Sequence, residues 1–455
     1  MYGKIKNLHF VGIGGIGMSG IAEVLINMGY RVTGSDLKES ETVKRLAGLG
    51  ARVHIGHEAQ NVRDSDVVVI SSAVRRDNPE VVEAMSLNIP VIPRAQMLAE
   101  LMRLRFGIAV AGSHGKTTTT SMIEAVLSYG GLDPTIVVGG KVRTLGTNAR
   151  LGEGSFMVVE ADESDGSFLL LSPVISVLTN IDEEHMDHYK DMEDLEGAFT
   201  TFLNKIPFYG LSVLCIDCPR VSSIARGFNK RLITYGFSTD AELRARDVKI
   251  HGFETQFTVV RTETVLGSVK IHSPGKHNAQ NALAAIAVGL ELGMSFEDVR
   301  EGLSKFRGID RRLQIKGSSR GIMVVDDYAH HPREIEVTIE AVKEAGAGRV
   351  VVMFQPHRYS RTSLLFNEFV EVLLQADKLF LLDIYAASED PIEGVSSQKL
   401  FEALKESGHE DVTYINGSQS VVSKVLEAVR PGDTVLTLGA GNVWTYGEKI
   451  AEELE

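Results

Sequence analysis

The sequence predicts an α/β protein of three domains, each built on a mostly parallel sheet. Short Val- and Ile-rich runs alternate with longer helical patterns, which is the mark of βαβ units. That alternation restarts twice along 455 residues, a length beyond what one hydrophobic core usually serves. Glycine clusters directly after some of these runs, where open α/β sheets bind ligands.

The first block places strands at 8–11, 31–34 and 67–71, then a helical stretch at 95–104. The second opens with a strand at 107–111 and continues through strands at 157–160, 175–179 and 211–216. Alternating polarity over 244–272 reads as a β-rich patch, followed by a helix over 277–292. The third block has strands at 322–325, 349–354, 378–383 and 434–438. The expected domains are therefore 1–106, 107–312 and 313–455.

Composition narrows the class. A net charge of -13 argues against a nucleic-acid partner, so an anionic ligand must be met by a local basic pocket. No run approaches the ~18 apolar residues that span a bilayer, and no signal-peptide pattern opens the chain. A cytoplasmic protein with no membrane insertion is expected. Cys215 and Cys218 are the only cysteines, too few for a four-thiolate zinc site, and read as two reduced thiols at a strand end.

Between the first strand and helix lies Gly12-Ile13-Gly14-Gly15-Ile16-Gly17, with Asp36 about twenty positions on. Such a loop lets backbone amides approach a pyrophosphate at a helix N-terminus, and the acid suits a ribose hydroxyl. By itself the pattern fits a dinucleotide oxidoreductase, a nucleotide-sugar site or an unliganded turn. The second loop is more specific: Gly112-Ser113-His114-Gly115-Lys116-Thr117-Thr118 follows an apolar strand and opens a helix. Backbone amides there cradle phosphates, Lys116 adds a point charge, and the Thr117 hydroxyl suits Mg²⁺. It departs from the strict phosphate-loop pattern in having Val110 where a glycine would stand.

Downstream, Glu160 ends a strand and begins the run Glu160-Ala161-Asp162-Glu163-Ser164-Asp165. Magnesium prefers oxygen ligands, which makes Glu160 a natural partner of bound phosphates. His185 closes the acidic turn 178–185 and alone reads as a surface or capping histidine. Asn278 and Asn281 share a helix face at i, i+3, suited either to a nucleotide or to capping. Arg311-Arg312 is either a solvated pair or a phosphate clamp. In the third block, Asp326-Asp327-Tyr328-Ala329-His330-His331-Pro332 and Gln355-Pro356-His357-Arg358-Tyr359-Ser360-Arg361 each end a strand. Arginine forks there recognise carboxylates bidentately. The turn Gly439-Ala440-Gly441-Asn442 follows the last strand without an assigned role.

Together these motifs resemble the Mur ligase family of peptidoglycan synthesis, which is itself similar to folylpolyglutamate synthetase; the likeness covers nearly the whole chain. The family fold implies an N-terminal Rossmann-like domain for a UDP-sugar, a central P-loop ATPase domain and a C-terminal Rossmann-like domain on the amino-acid side. The resemblance implies an ATP- and Mg²⁺-dependent carboxylate–amine ligase working through an acyl phosphate. Narrower marks are residues 11–19, 160–165, 326–332 and 357–362. They point to the member that joins L-alanine to the lactyl carboxylate of UDP-N-acetylmuramate. By that resemblance Gly112, Ser113, His114, Gly115, Lys116, Thr117, Thr118, Asn278, Asn281 and Arg312 serve ATP. Thr117, Glu160 and His185 hold metal, and Lys116, Glu160, His185, Arg312 and Asp327 are the catalytic set. Gly12, Gly14, Gly15, Gly17, Asp36 and Ser71 take the UDP-sugar. Tyr328, His357, Arg358 and Arg361 meet the amino acid and the carboxylate, and His357 or Asp327 is the base for the amine. Several relatives carry a carbamoylated lysine supporting the second metal, where the stretch 198–208 offers Lys205, and Cys218 stands where many have a second acid. A murein-tripeptide ligase, a Rossmann oxidoreductase and a silent nucleotide-binding regulator remain as alternatives.

Overall fold

The computed structural model describes residues 5–71, 73–142, 147–186, 188–387, 389–417 and 420–455. It has the three-domain α/β fold, with one sheet in each domain. By packing, the chain divides into two compact units. One comprises Met1–Arg246, Thr258–Val269 and Gln280–Phe306; the other comprises Asp247–Phe257, Lys270–Ala279 and Arg307–Glu455.

The N-terminal sheet orders its strands Arg52–Ile55, Arg31–Asp36, Asn7–Val11, Val67–Ile70 and Val91–Pro93, all parallel. Chain order reverses beside Asn7–Val11, so the crevice of this sheet opens where the first glycine loop leaves the strand. Leu8, Phe10 and Val11 are buried, because a parallel strand covered on both faces is apolar on both. The edge strands Arg52–Ile55 and Val91–Pro93 escaped the sequence reading: both are short and only partly buried, the first alternates polar with apolar residues, and the second is a three-residue run bounded by prolines.

The central sheet has ten strands. Phe106–Ala111 lies between Ile175–Leu178 and Phe156–Glu160, parallel to both. The second glycine loop, Glu160 and the turn after Leu178 therefore leave one edge of the sheet side by side. Thr135–Val142 and Leu232–Gly236 also belong to this sheet. The β-rich patch resolves into Leu243–His251, Glu254–Arg261 and Thr264–Ile271. Cys215 ends the strand Leu211–Cys215 and is buried, which pushes its thiol up to about 12. Cys218 caps the helix Pro219–Gly227, and both thiols are free.

The C-terminal sheet runs Gln314–Ser319, Ile322–Asp327, Asp433–Leu438, Arg349–Phe354, Lys378–Leu382, Val412–Ile415, antiparallel at the first pair and parallel elsewhere. Val350 to Phe354 are fully buried, each large side chain contributing roughly 1.5–3 kcal/mol. Pro332 at the first turn and the His331 cap start helix Pro332–Glu344 directly after the Asp326–His331 motif. No described helix is long and apolar enough to cross a membrane.

Candidate active site

Lys116 begins the helix Lys116–Tyr129, and the loop before it is pinned from the neighbouring strand end. His114 N–H donates to Asn180 Oδ1 at 2.8 Å, and Thr179 Oγ1 donates to His114 O at 2.6 Å. Asp182 N–H donates to Ser113 Oγ at 2.8 Å. Gly112 and Gly115 both have positive φ, and a Cβ on Gly112 would lie 2.1 Å from Thr179 Oγ1. Only glycine admits that approach.

The Lys116 ammonium donates to Gly112 O at 2.7 Å, Ser113 O at 3.0 Å and Glu163 Oε1 at 2.9 Å. Burial opposes its charge, but Glu163 and Glu160 outweigh burial and raise its pKa above that of free lysine. Burial pushes the Glu163 carboxyl up, against the pull of Lys116. Thr117 Oγ1 donates to both oxygens of Glu160, at 3.0 and 2.9 Å, and Gly139 N–H donates to Glu160 Oε2 at 2.7 Å. His185 stands in a second group, with ligand atoms of Glu163, Glu184 and His185 all within 4.8 Å of one another. Its φ of 60° is strained for a non-glycine residue.

Helix Lys276–Glu291 separates the two asparagines. Asn281 accepts from Thr119 Oγ1 at 3.1 Å and lies against Gly115, whereas Asn278 donates back to Pro274 O at 2.7 Å. Thr118 is half-buried on the first turn of the phosphate-loop helix. Lys205 is exposed past the end of helix Met192–Leu203.

In the N-terminal sheet, Gly12 and Ile13 N–H donate to Ser35 O at 2.8 and 3.0 Å. Gly14 N–H donates to Asp36 Oδ2 at 2.9 Å, so one oxygen of Asp36 supports the loop itself. A Cβ on Gly17 would lie 2.6 Å from Arg94 Nη1; Arg94 in turn faces Asp162 at 3.8 Å. Gly15 packs over Gly12 O, and Ser71 Oγ lies beside Gly12. Beneath Ser35 is a carboxylate the sequence reading missed. Buried Glu80 accepts from Ser35 Oγ at 2.6 Å and Asn61 Nδ2 at 2.7 Å, with His57 Nδ1 at 2.9 Å and His9 Nε2 at 3.4 Å. Burial opposes its charge, but the bonds from His9, Ser35 and Asn61 prevail and hold its pKa down at about 2.

The C-terminal unit gathers its own cluster at the ends of parallel strands. Buried Asp327 accepts from Leu313 N–H at 2.7 Å and Ala329 N–H at 2.8 Å. Burial raises its pKa to about 6, with Arg312 and those amides pulling the other way. His357 stacks on Tyr385 at 5.7 Å, and its Nδ1 lies 3.3 Å from Arg361 Nη1. Burial, then Arg361 and Arg358, lower His357 to about 4, so the ring is neutral at pH 7. Arg358 has a φ of 71° and donates its backbone N–H to Tyr385 O at 2.9 Å. Arg312 lies 3.5 Å from Glu334 and 5.7 Å from the Tyr328 ring centroid. Sequence reasoning passed over Glu80 and Tyr385, quoted Glu163 only within the acidic run 160–165, and did not separate Arg311 from Arg312. Tyr385 was findable, since it follows a parallel strand at its C-terminal end.

Fold and site define a phosphate-loop α/β protein whose loop lysine is flanked by two carboxylate groups suited to a nucleotide and a hard cation. The family profile matches in three consecutive parts: Mur ligase family, catalytic domain over 7–106, Mur ligase middle domain over 110–289, and Mur ligase, glutamate ligase domain over 311–441. The chain is 57% identical to the UDP-N-acetylmuramate--L-alanine ligase of Geotalea uraniireducens, across 100% of this chain and 99% of that protein. It is 56% identical to the ligase of the same name from Geobacter sulfurreducens, with the same coverage. Among solved structures, UDP-N-acetylmuramate-alanine ligase from Thermotoga maritima superposes with a TM-score of 0.83 at 29% identity, covering 99% of both chains. The chain belongs to the Mur ligase family.

Proposed function

We propose that this chain joins L-alanine to the lactyl carboxylate of UDP-N-acetylmuramate, consuming ATP and releasing ADP and phosphate. The observation carrying the reading is full-length identity of 57% to a ligase of that name. The murein peptide ligase of Psychrobacter arcticus, at 23% identity, shares the fold alone. An oxidoreductase has no use for the loop built around Lys116.

Within this reading the domains are 1–106 for the UDP-sugar, 107–312 for ATP and 313–455 for the amino acid. The loop 112–118, Asn278, Asn281 and Arg312 hold the nucleotide. An arriving phosphate competes with Glu163 for the Lys116 ammonium, which then stabilises charge as the muramyl carboxylate attacks the γ-phosphorus. Oxygen donors already in contact, Thr117 and Glu160, fit Mg²⁺, and His185 with its neighbouring acids forms a second candidate group. When bound, the cation neutralises phosphate charge. The alanine amine then attacks the acyl carbon, phosphate leaves and one proton must be removed. Asp327 and His357 are both candidates for the base: burial raises the Asp327 carboxyl to about 6, and burial with Arg361 and Arg358 lowers His357 to about 4, so His357 is unprotonated and Asp327 mostly ionised at pH 7. Tyr328, Arg358 and Arg361 orient the alanine carboxylate. Gly12, Gly14, Gly15, Gly17, Asp36 and Ser71 seat the UDP-sugar.

Phosphate release from ATP, measured with UDP-N-acetylmuramate and each amino acid in turn, tests the assignment. L-Alanine should be the strongest amino-acid activator; a preference for a tripeptide would move the chain to the murein-peptide branch.

A further inference from the structure

Arg311 and Arg312 are neighbours in sequence with different surroundings. Arg311 is anchored on several sides. Its Nε donates to buried Asp326 Oδ2 at 3.1 Å, and Thr437 Oγ1 holds the other oxygen of that acid at 2.6 Å. Its Nη groups donate to Gly439 O and, at 3.2 Å, to Gly441 O. Its own carbonyl accepts from Tyr328 N–H at 2.7 Å, and its guanidinium carbon sits 4.9 Å from the Tyr328 ring centroid. The residue holds these contacts at a φ of 61°, a costly conformation for a side-chain-bearing residue. The turn it grips packs in turn against Tyr385, since a Cβ on Gly441 would lie 2.8 Å from that ring, and Tyr385 stacks on His357.

We propose that Arg311 is a positioning residue, tying the Gly439–Asn442 turn to Tyr328 and so setting the Tyr328 and His357 sides of the amino-acid subsite. This inference rests on the amino-acid role given to Tyr328 above. It assigns a use to the C-terminal glycine turn and separates the two arginines: Arg311 shapes the subsite without touching substrate. A planar fork with five donors reaches an acid and two carbonyls at once, whereas lysine has a single point charge on a flexible stem.

The test is Arg311→Lys, assayed for alanine, ATP and UDP-sugar dependence. Misplacement by about an ångström costs up to ~10²-fold, so the alanine KM should rise at least tenfold while the other two KM values stay within about twofold. In a double-mutant cycle with Tyr328→Leu, the lysine substitution should add little, because both changes disturb one arrangement. Asp326→Asn keeps the arginine and loosens only its buried anchor; it should raise the alanine KM in the same direction, and it serves if Arg311→Lys does not fold. An unchanged alanine KM in a folded variant, or fully additive effects in the cycle, overturns the proposal. Absence of alanine-dependent phosphate release in the unmutated protein would overturn the functional reading instead.

Discussion

The ammonium of Lys116 and the buried carboxylate of Glu163 meet at 2.9 Å, and the same carboxylate oxygen lies 3.7 Å from His185 Nε2. Glu163 thus joins the phosphate loop to the acidic turn after Leu178, which are far apart in sequence. A phosphate entering the loop must draw Lys116 away from a carboxylate that burial already disfavours as an anion.

Lys116→Ala should abolish ligation and leave the fold intact. A lysine that stabilises charge growing in the transition state is worth about 10²–10³-fold in turnover. The widowed Glu163 is already pushed towards its neutral form by burial and can take up a proton, which limits the cost to folding. Phosphate release and thermal unfolding of the variant check both halves. A folded variant with near-full turnover would remove Lys116 from the machinery.

Asp36→Ala should weaken UDP-sugar binding and leave ATP binding nearly unchanged. The aspartate carries Gly14 N–H at 2.9 Å, so its loss loosens the glycine loop as well as removing an acceptor for a ribose. Calorimetry with each ligand separates the two sites. Tight binding of NADH in the same experiment would contradict the assignment of this loop to a UDP-sugar.

Glu80 should confer stability that depends on pH. Its folded pKa is about 2, below its ordinary 4.5, so ionisation favours the folded state. The contribution is complete above about pH 4.5 and is lost as pH falls through about 2. A shift of this size corresponds to something on the order of 3 kcal/mol. Urea midpoints of the wild type and Glu80→Gln should differ most near pH 7, and the gap should narrow as pH falls from about 4.5 towards 2; a gap independent of pH would show that the carboxylate charge is not the source.

Arg361→Ala should raise the Michaelis constant for alanine at least tenfold, since a charge-assisted bond to a carboxylate is worth ~1.5–3 kcal/mol. The effect on ATP should be smaller. One methylene is discriminated by only ~1–3 kcal/mol, so glycine and serine should be slow substrates. Steady-state kinetics in which only the ATP constant changed would place this arginine with the nucleotide.

Much of the fold was legible because strands buried on both faces are continuous apolar runs, and phosphate-binding turns demand glycine. The strands at 349–354 and 107–111 stood out for that reason, and they form as Arg349–Phe354 and Phe106–Ala111. Gln314–Ser319 did not, because it is an edge strand with no fully buried residue. The bare pattern favoured a surface role for His185; Glu184 precedes it in the chain, but Glu163 joins the pair only when two strand ends come together.

By itself the sequence determined three βαβ blocks, the strand-to-helix turns at Gly12 and Gly112, and the strand ends where acids, histidines and arginines would cluster. These features are local, set by side-chain periodicity and turn geometry within windows of a few residues. The tertiary structure decided the partners: Glu163 for Lys116, Glu80 for Ser35, the Leu313 amide for Asp327, and the Gly439–Gly441 carbonyls for Arg311 rather than Arg312. Those pairings depend on which strands become neighbours and on how burial weighs each charge, and neither is set by residues adjacent in the chain.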